Sequence, residues 1–416
     1  MMPHDQQEIR AANIARDSAP AGPARETAAT MVQILAFGFL TAMAPLSVDI
    51  YLPALPMLQK TFASDEARTL LTLSAFLVGF GAGQLFIGPL SDRFGRKRPL
   101  IAGLALYLAA SVACALASSI GAVILWRFLQ AVGGCAVPVM VQAMIRDLFD
   151  RNEGARVLSL NMLVMGVAPI AAPLLGGQLM LFFDWRAIFW VLALFGAIAL
   201  GVASMLPETL SRARRDQAHP VAMILGYGEL FGSRRYVGYV VGLGFYYCAL
   251  FAFIAGSPFV YIDHFAVSPQ NYGFLFGINI VGMMTGSFIN ARIVVRHGGD
   301  RLLRVGKIIG IAGGIVLAIT GTLGIGGIYG VAIPAFIVLS TLSMIGANAI
   351  SGALALFPHR AGAASALAGA LQFGMGALAG AVVGWLADGT PGPMCMTMAG
   401  AAALALLLNL ALVRRA

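Results

Sequence analysis

The sequence predicts an all-α membrane protein, with twelve transmembrane helices arranged as two pseudo-symmetric six-helix bundles. Three observations predict it. The 416 residues are 59% hydrophobic and 11% charged, whereas a soluble domain carries about 25% charged residues. The apolar residues gather into runs of roughly 20, the length of helix that crosses a bilayer. Finally, the longest polar interruption, at residues 207–235, leaves six such runs on either side.

The spans are predicted at 30–54, 69–91, 98–117, 120–144, 156–181, 186–206, 236–261, 270–294, 302–324, 328–352, 361–386 and 392–413. Lys and Arg fix their orientation, because basic residues resist translocation. With both termini in the cytoplasm, 23 of the 27 basic residues fall on the inner side; Lys60, Arg68 and Arg186 fall outside, and Arg127 falls within a span. Losing one helix would invert every later loop, so an even number of spans is required. The net charge of +9 is that of loops beside an anionic leaflet, not of a nucleic-acid binder.

Residues 1–29 are polar and lack an apolar h-region, which predicts a disordered cytoplasmic tail with no cleaved signal. The first bundle follows at 30–206, the cytoplasmic linker at 207–235, and the second bundle at 236–416. The halves repeat. Gly83 to Gly88, Arg93-Phe94-Gly95 and Arg98 recur as Gly286, Arg296-His297-Gly298 and Arg301, offset by 203 residues. Gly154-Ala155, Gly166 and Gly176 recur as Gly362-Ala363, Gly374 and Gly384, offset by 208. Val295 takes the place of Asp92 in the second copy of the loop.

An ionisable residue near the bilayer centre costs about 2.5–3.5 kcal/mol on insertion scales, so such residues mark function. Two stand out: Asp49 in the first span and Arg127 in the fourth. Asp49 is expected to line a central cavity as a proton carrier or cation-recognition point. The competing reading is a helix-end aspartate near the periplasmic surface, where Pro53 and Pro56 loosen the helix. Arg127 keeps its charge, so it is expected to hold charge and water and set the affinity of an approaching acid. The competing reading is snorkelling beside Trp126. The expected cavity is apolar and aromatic, lined by Tyr51, Gln130, Tyr246, Tyr247, Phe251, Asn279 and Gln372. It suits lipophilic, neutral or weakly cationic molecules.

Between the second and third spans lies Gly88-Pro89-Leu90-Ser91-Asp92-Arg93-Phe94-Gly95-Arg96-Lys97. Gly88, Asp92, Arg93, Gly95, Arg96 and Lys97 fill every position of the pattern Gly-x-x-x-Asp-Arg-x-Gly-Arg-Arg/Lys, and in this the sequence resembles the major facilitator superfamily. The resemblance implies a gating role for this turn: Asp92 engages a neighbouring helix N-terminus or Arg93, ties the halves together on the cytoplasmic side and stabilises the outward-facing state. Arg127, Gly133 and Gly134 match the family's fourth-span motif. In the fifth span, Gly166, Pro169, Pro173, Gly176 and Gly177 resemble the antiporter motif, with Ala172 in place of the glycine before the proline.

Asp49-Ile50-Tyr51-Leu52-Pro53 and Ile145-Arg146-Asp147-Leu148-Phe149 look like the bicyclomycin/chloramphenicol-resistance branch of drug:proton antiporters. That resemblance implies proton-driven export of drug-like compounds across a bacterial cytoplasmic (inner) membrane by a monomer, with no cofactor. Transport of a small metabolite on the same scaffold is the alternative. No metal site is expected, since Cys114, Cys135, Cys248 and Cys395 have no paired spacing. No Ser/His, HExxH or paired-acid constellation lies in the spans, and no nucleotide-binding loop is present, so an enzyme is not expected.

Overall fold

The structure is a computed structural model of the chain and describes residues 31–212, 227–357 and 360–412. The tail expected at 1–29 lies outside the described residues. Twelve helices there are long and apolar enough to cross a membrane, among them Met31–Thr61, Glu66–Phe94, Ile120–Leu148, Asn152–Phe182, Arg234–His264, Pro269–His297 and Gly362–Leu386. The end of the molecule bearing the Asp92–Lys97 turn is called here the basic end, and the opposite one the far end.

Two helix ends differ from expectation. The first span continues past residue 54: a 3-10 turn at Leu52–Ala54 leads into a further helix, Leu55–Thr61. Pro53 and Pro56 each fall at the start of a new helical segment, where a missing N–H breaks no bond. The prolines therefore restart the helix instead of ending it. The seventh span also runs on, to His264, through a π-helical turn at Phe259–His264. Within the expected linker, the described part holds a short helix at Tyr227–Gly232.

The 203-residue repeat is visible in the backbone. Gly95 ends the second span at φ 91° and Gly298 ends the eighth at φ 77°, a conformation that glycine adopts without steric cost.

The halves meet along two antiparallel seams. In one, the fifth and eighth spans touch at Gly177 with Pro269, Leu174 with Gly273, Ile170 with Gly277 and Gly166 with Met284. In the other, the second and eleventh spans touch at Ala67 with Gly384, Ser74 with Ala377 and Gly81 with Ala370. Gln84 against Gly369 completes that seam. Small residues let backbones approach closely where lipid supplies no hydrophobic drive. At the far end, the extended tips of the first and seventh spans also pack on one another, and Lys60 forms an ion pair with Asp263 at 2.9 Å between them. The far end is closed.

Towards the basic end the second seam opens. The register of Ala67 with Gly384, Ser74 with Ala377 and Gly81 with Ala370 would set Gly88 opposite Ala363, beside Gly362, yet a Cβ at either glycine would meet nothing within 4 Å. Leu90 and Phe94, farther along the second span, are exposed.

Candidate functional site

Asp49 closes the helical stretch Met43–Asp49 just before the 3-10 break. It is buried, and no hydrogen bond or ion pair joins its carboxylate to another described residue. The fifth span packs directly behind it: a Cβ at Gly176 would land on the Ile50 carbonyl and press on Pro53. The next residue, Gly177, faces another way, and a Cβ there would land on the Pro269 carbonyl of the eighth span. Successive residues of a helix point about 100° apart, so the paired glycines let one helix abut both the break beside Asp49 and the other half. Asp49 is thus a helix-end residue, as the competing reading expected, but one enclosed by protein.

Arg127 is fully buried, so it does not snorkel. One Nη1 donates to the Gln130 Oε1 at 2.7 Å and to the Ser47 carbonyl at 3.1 Å. That carbonyl is one of the last of a helix and therefore lacks a full helical donor. The guanidinium also lies over the rings of Phe76 at 4.2 Å and Tyr51 at 4.8 Å, a cation–π arrangement. Its Nε and Nη2 have no partner. Gln130 passes the network on to Ser111 at 2.7 Å, and Tyr107 meets the Ser47 hydroxyl at 2.6 Å. Arg127 thus grips the backbone two residues before Asp49 and forms no ion pair with it.

The expected cavity lining divides in two. Tyr51 and Tyr246 turn into their own bundles, bonding Thr72 at 2.9 Å and Thr341 at 2.6 Å. Gln130 is spent in the Arg127 network, and Asn279 bonds the Leu275 carbonyl of its own helix. Tyr51, Tyr246 and Gln130 thus find their side-chain partners inside their own half, whereas the Asn279 Oδ1 has none. Tyr247 and Phe251 do reach the interface. They join a row of rings, Tyr247–Phe251–Phe373–Phe80–Phe76, whose step across the halves is Phe373 to Phe80 at 4.8 Å. Gln372, half-buried, lies next to Phe373 on the eleventh span. Phe80 and Phe373 carried no sequence signal, being two phenylalanines among 25.

The basic turn is also corrected. Asp92 pairs with Arg96 at 2.6 Å, not with Arg93 or the other half. Arg96 also meets Asp147 of the fourth span at 3.2 Å and Ser91 at 2.6 Å. Glu208 accepts the backbone N–H of Arg96 and Lys97, while Lys97 donates to the Ser204 carbonyl. Every one of these partners belongs to the first half or, for Glu208, to the start of the linker. The network ties the second, fourth and sixth spans at their basic ends, and it explains why an acid stands at position 147. Sequence reading missed another buried charge inside a span, Lys307 of the ninth, which donates to the Ala405 carbonyl at 3.1 Å. Its place five residues from the predicted span start had put it among the loop charges.

Comparison with known proteins agrees with this architecture. The chain is 36% identical to an uncharacterised MFS-type transporter, YdgK, of Bacillus subtilis, over 83% of this chain and 87% of that one. It is 32% identical to a bicyclomycin resistance protein homolog of Haemophilus influenzae, over 91% and 95% of the two chains. Its fold matches the xylose transporter XylE from E. coli with a TM-score of 0.71 at 14% identity, over 90% of this chain and 96% of that one. A sequence profile matches over residues 37–381, and the chain belongs to the family that profile describes, the Major Facilitator Superfamily.

Proposed function

We propose that this transporter exports lipophilic, drug-like compounds from a bacterial cytoplasm in exchange for protons, working as a monomer in the inner membrane with both termini and the basic end inside. One observation carries the reading: Asp49 is a buried acid with no counter-ion, set at the break of the first span and beneath the fifth-span glycines that contact the other half. Taking up a proton there removes a buried charge, and losing it restores one. The packing of the two halves at that point therefore depends on the proton. The relatives named for resistance to bicyclomycin and, in Pseudomonas aeruginosa, to chloramphenicol, the latter 32% identical over 89% of this chain, support drug-like substrates. So does the aromatic row at the interface.

Under this assignment the closed far end faces the periplasm, and the conformation described is inward-facing. Drug enters from the cytoplasm against the aromatic row, and Asp49 releases its proton to the same side. After the halves rock, drug leaves and a periplasmic proton returns to Asp49. Arg127 positions the Asp49 segment through the Ser47 carbonyl. One proton crossing about 150 mV supplies roughly 3.5 kcal/mol, enough for a gradient of several hundred-fold in a neutral substrate, at about 1.4 kcal/mol per tenfold.

The test is transport of a fluorescent lipophilic compound, and of chloramphenicol, in everted membrane vesicles with and without an imposed proton gradient. The native protein accumulates substrate only with the gradient. Asp49→Asn inserts normally and loses gradient-driven uptake. Uptake by that variant at the native rate removes Asp49 from the mechanism.

A further inference from the structure

The linker helix Tyr227–Gly232 connects to both halves. Leu230 is fully buried in a core to which the seventh, ninth, tenth, eleventh and twelfth spans contribute, and Glu229 forms an ion pair with Arg360 at 2.8 Å, just before the eleventh span. The helix therefore travels with the second half. Tyr227, at its start, reaches the other way, and its hydroxyl donates to the Leu85 carbonyl of the second span at 3.2 Å.

That carbonyl has a particular history. In an α-helix it would accept from the N–H four residues on, and the residue there is Pro89, inside the helix Glu66–Phe94. Proline has no N–H. Leu85 therefore presents an acceptor without its helical donor, and the linker tyrosine supplies one from outside the helix.

The position matters as much as the bond. Leu85 follows Gln84, which touches Gly369 of the eleventh span, and farther towards the basic end a Cβ at Gly88 or at Gly362 would meet nothing within 4 Å. Tyr227 thus bonds the second span one turn before Gly88, where its face towards the eleventh is open. Closing the basic end brings the two spans together below that point, into the space the tyrosine borders.

We propose that Tyr227 is a positioning residue for alternating access: a wedge in the crotch between the second and eleventh spans that holds the basic end open through the carbonyl Pro89 leaves free. The linker then biases the conformational equilibrium instead of merely joining the halves. The proposal rests on the alternating-access reading above, but its readout is a distance and not transport, so the two can fail separately.

The experiment places spin labels at Asn152→Cys and Val295→Cys, exposed positions at the basic ends of the fifth and eighth spans, in the full chain in lipid nanodiscs. Tyr227→Phe removes only the hydroxyl. A hydrogen bond of ordinary strength shifts such an equilibrium by about two- to tenfold, and the shift is expected towards the shorter, closed distance. Pro89→Ala gives the Leu85 carbonyl its helical donor, so Tyr227→Phe in that background shifts the populations less than about 1.5-fold, an order-of-magnitude bound from loss of that one bond. Arg360→Gln, which unpins the linker helix, shifts the distances the same way, with Tyr227→Phe adding little to it. An unchanged distance distribution in Tyr227→Phe overturns the proposal. So does an equal shift with and without Pro89, or, should Pro89→Ala not insert, full additivity with Arg360→Gln.

Discussion

The second span meets the eleventh as the eighth meets the fifth, because the second half repeats the first, but the two seams differ in what lies against them. At the 208-residue offset Gly176 corresponds to Gly384, and both are sites of close backbone approach. The next position diverges: Gly177 presses on the Pro269 backbone, whereas its counterpart, Trp385, is 82% exposed. Two adjacent glycines give the fifth span two contact faces; one glycine gives the eleventh a single face. The face that Gly177 adds lies against the eighth span of the other half, while Gly176 abuts the break that carries Asp49. At the 203-residue offset the seventh span has Ala252 where the first has Asp49, so the single-glycine seam serves no acid. It runs longer, about 26 Å from Ala67 to Gln84 against about 17 Å from Gly166 to Gly177 at 1.5 Å per residue, and its basic end is taken over by the linker tyrosine. Duplication supplied one contact twice; divergence gave one copy the buried acid and the other the linker tyrosine.

The sharpest way to break this comparison is to fill the second glycine. Gly177→Leu sets a side chain against a carbonyl that has no rotamer to move away with, and overpacking of that kind costs about 1–3 kcal/mol or more. Trp385→Leu changes a side chain facing outward, where substitutions usually stay within about 0.5 kcal/mol. Gly177→Leu is expected to lower the thermal unfolding midpoint in detergent and cut gradient-driven transport by roughly tenfold, which about 1.4 kcal/mol, the lower part of that cost, implies. Trp385→Leu should leave both near native. Equal effects would mean that the glycine pair has no function beyond that of its single-glycine counterpart.

Much of this was legible in the sequence because it rests on regular patterns. Twelve apolar runs, an alternating basic bias and a 203-residue echo specify the helices and their pairing, since each follows from bilayer thickness and charge. Asp49 and Arg127 were legible because a charge inside an apolar run is conspicuous. Their relation was not. Whether Arg127 meets the Asp49 carboxylate or the Ser47 carbonyl depends on a few ångströms of helix rotation, which periodicity does not encode. Tyr51 and Tyr246 were misread for the same reason: an aromatic in a span can face a cavity or its own bundle, and the hydroxyl partner that decides lies on another helix. At the 203-residue offset Tyr107 corresponds to Gly310 and Met43 to Tyr246, so each half fills a similar place from the opposite helix: Tyr107 bonds Ser47, and Tyr246 leans over Gly310 to bond Thr341. Lys307 escaped notice because one residue type serves both loops and span ends.

A second test separates the seams by their polar contacts. Ser74 donates to the Ala377 carbonyl at 3.1 Å, a buried bond between the halves in the second–eleventh seam. Ser74→Ala removes it and leaves a small apolar side chain, so the expected loss is about 1 kcal/mol. That loss should appear as a modest fall in the unfolding midpoint, with proton coupling intact. Loss of coupling in this variant would place proton chemistry in both seams and undo the division of labour between them.

The smallest effect is expected at the far-end ion pair. Lys60 and Asp263 lie 2.9 Å apart, but the lysine side chain is 74% exposed, and exposed pairs contribute about 0–1 kcal/mol. Water and salt reach this pair freely. Lys60→Ala should therefore shift labels across the far end towards the open distance by no more than about fivefold, less at high salt because the Debye length shortens. The exchanged pair, Lys60→Asp with Asp263→Lys, should restore the native distribution. A far end that springs fully open on losing Lys60 would mean that this exposed pair, and not the glycine contacts beneath it, holds the two halves together, and the buried seams would then be consequences of closure instead of its cause.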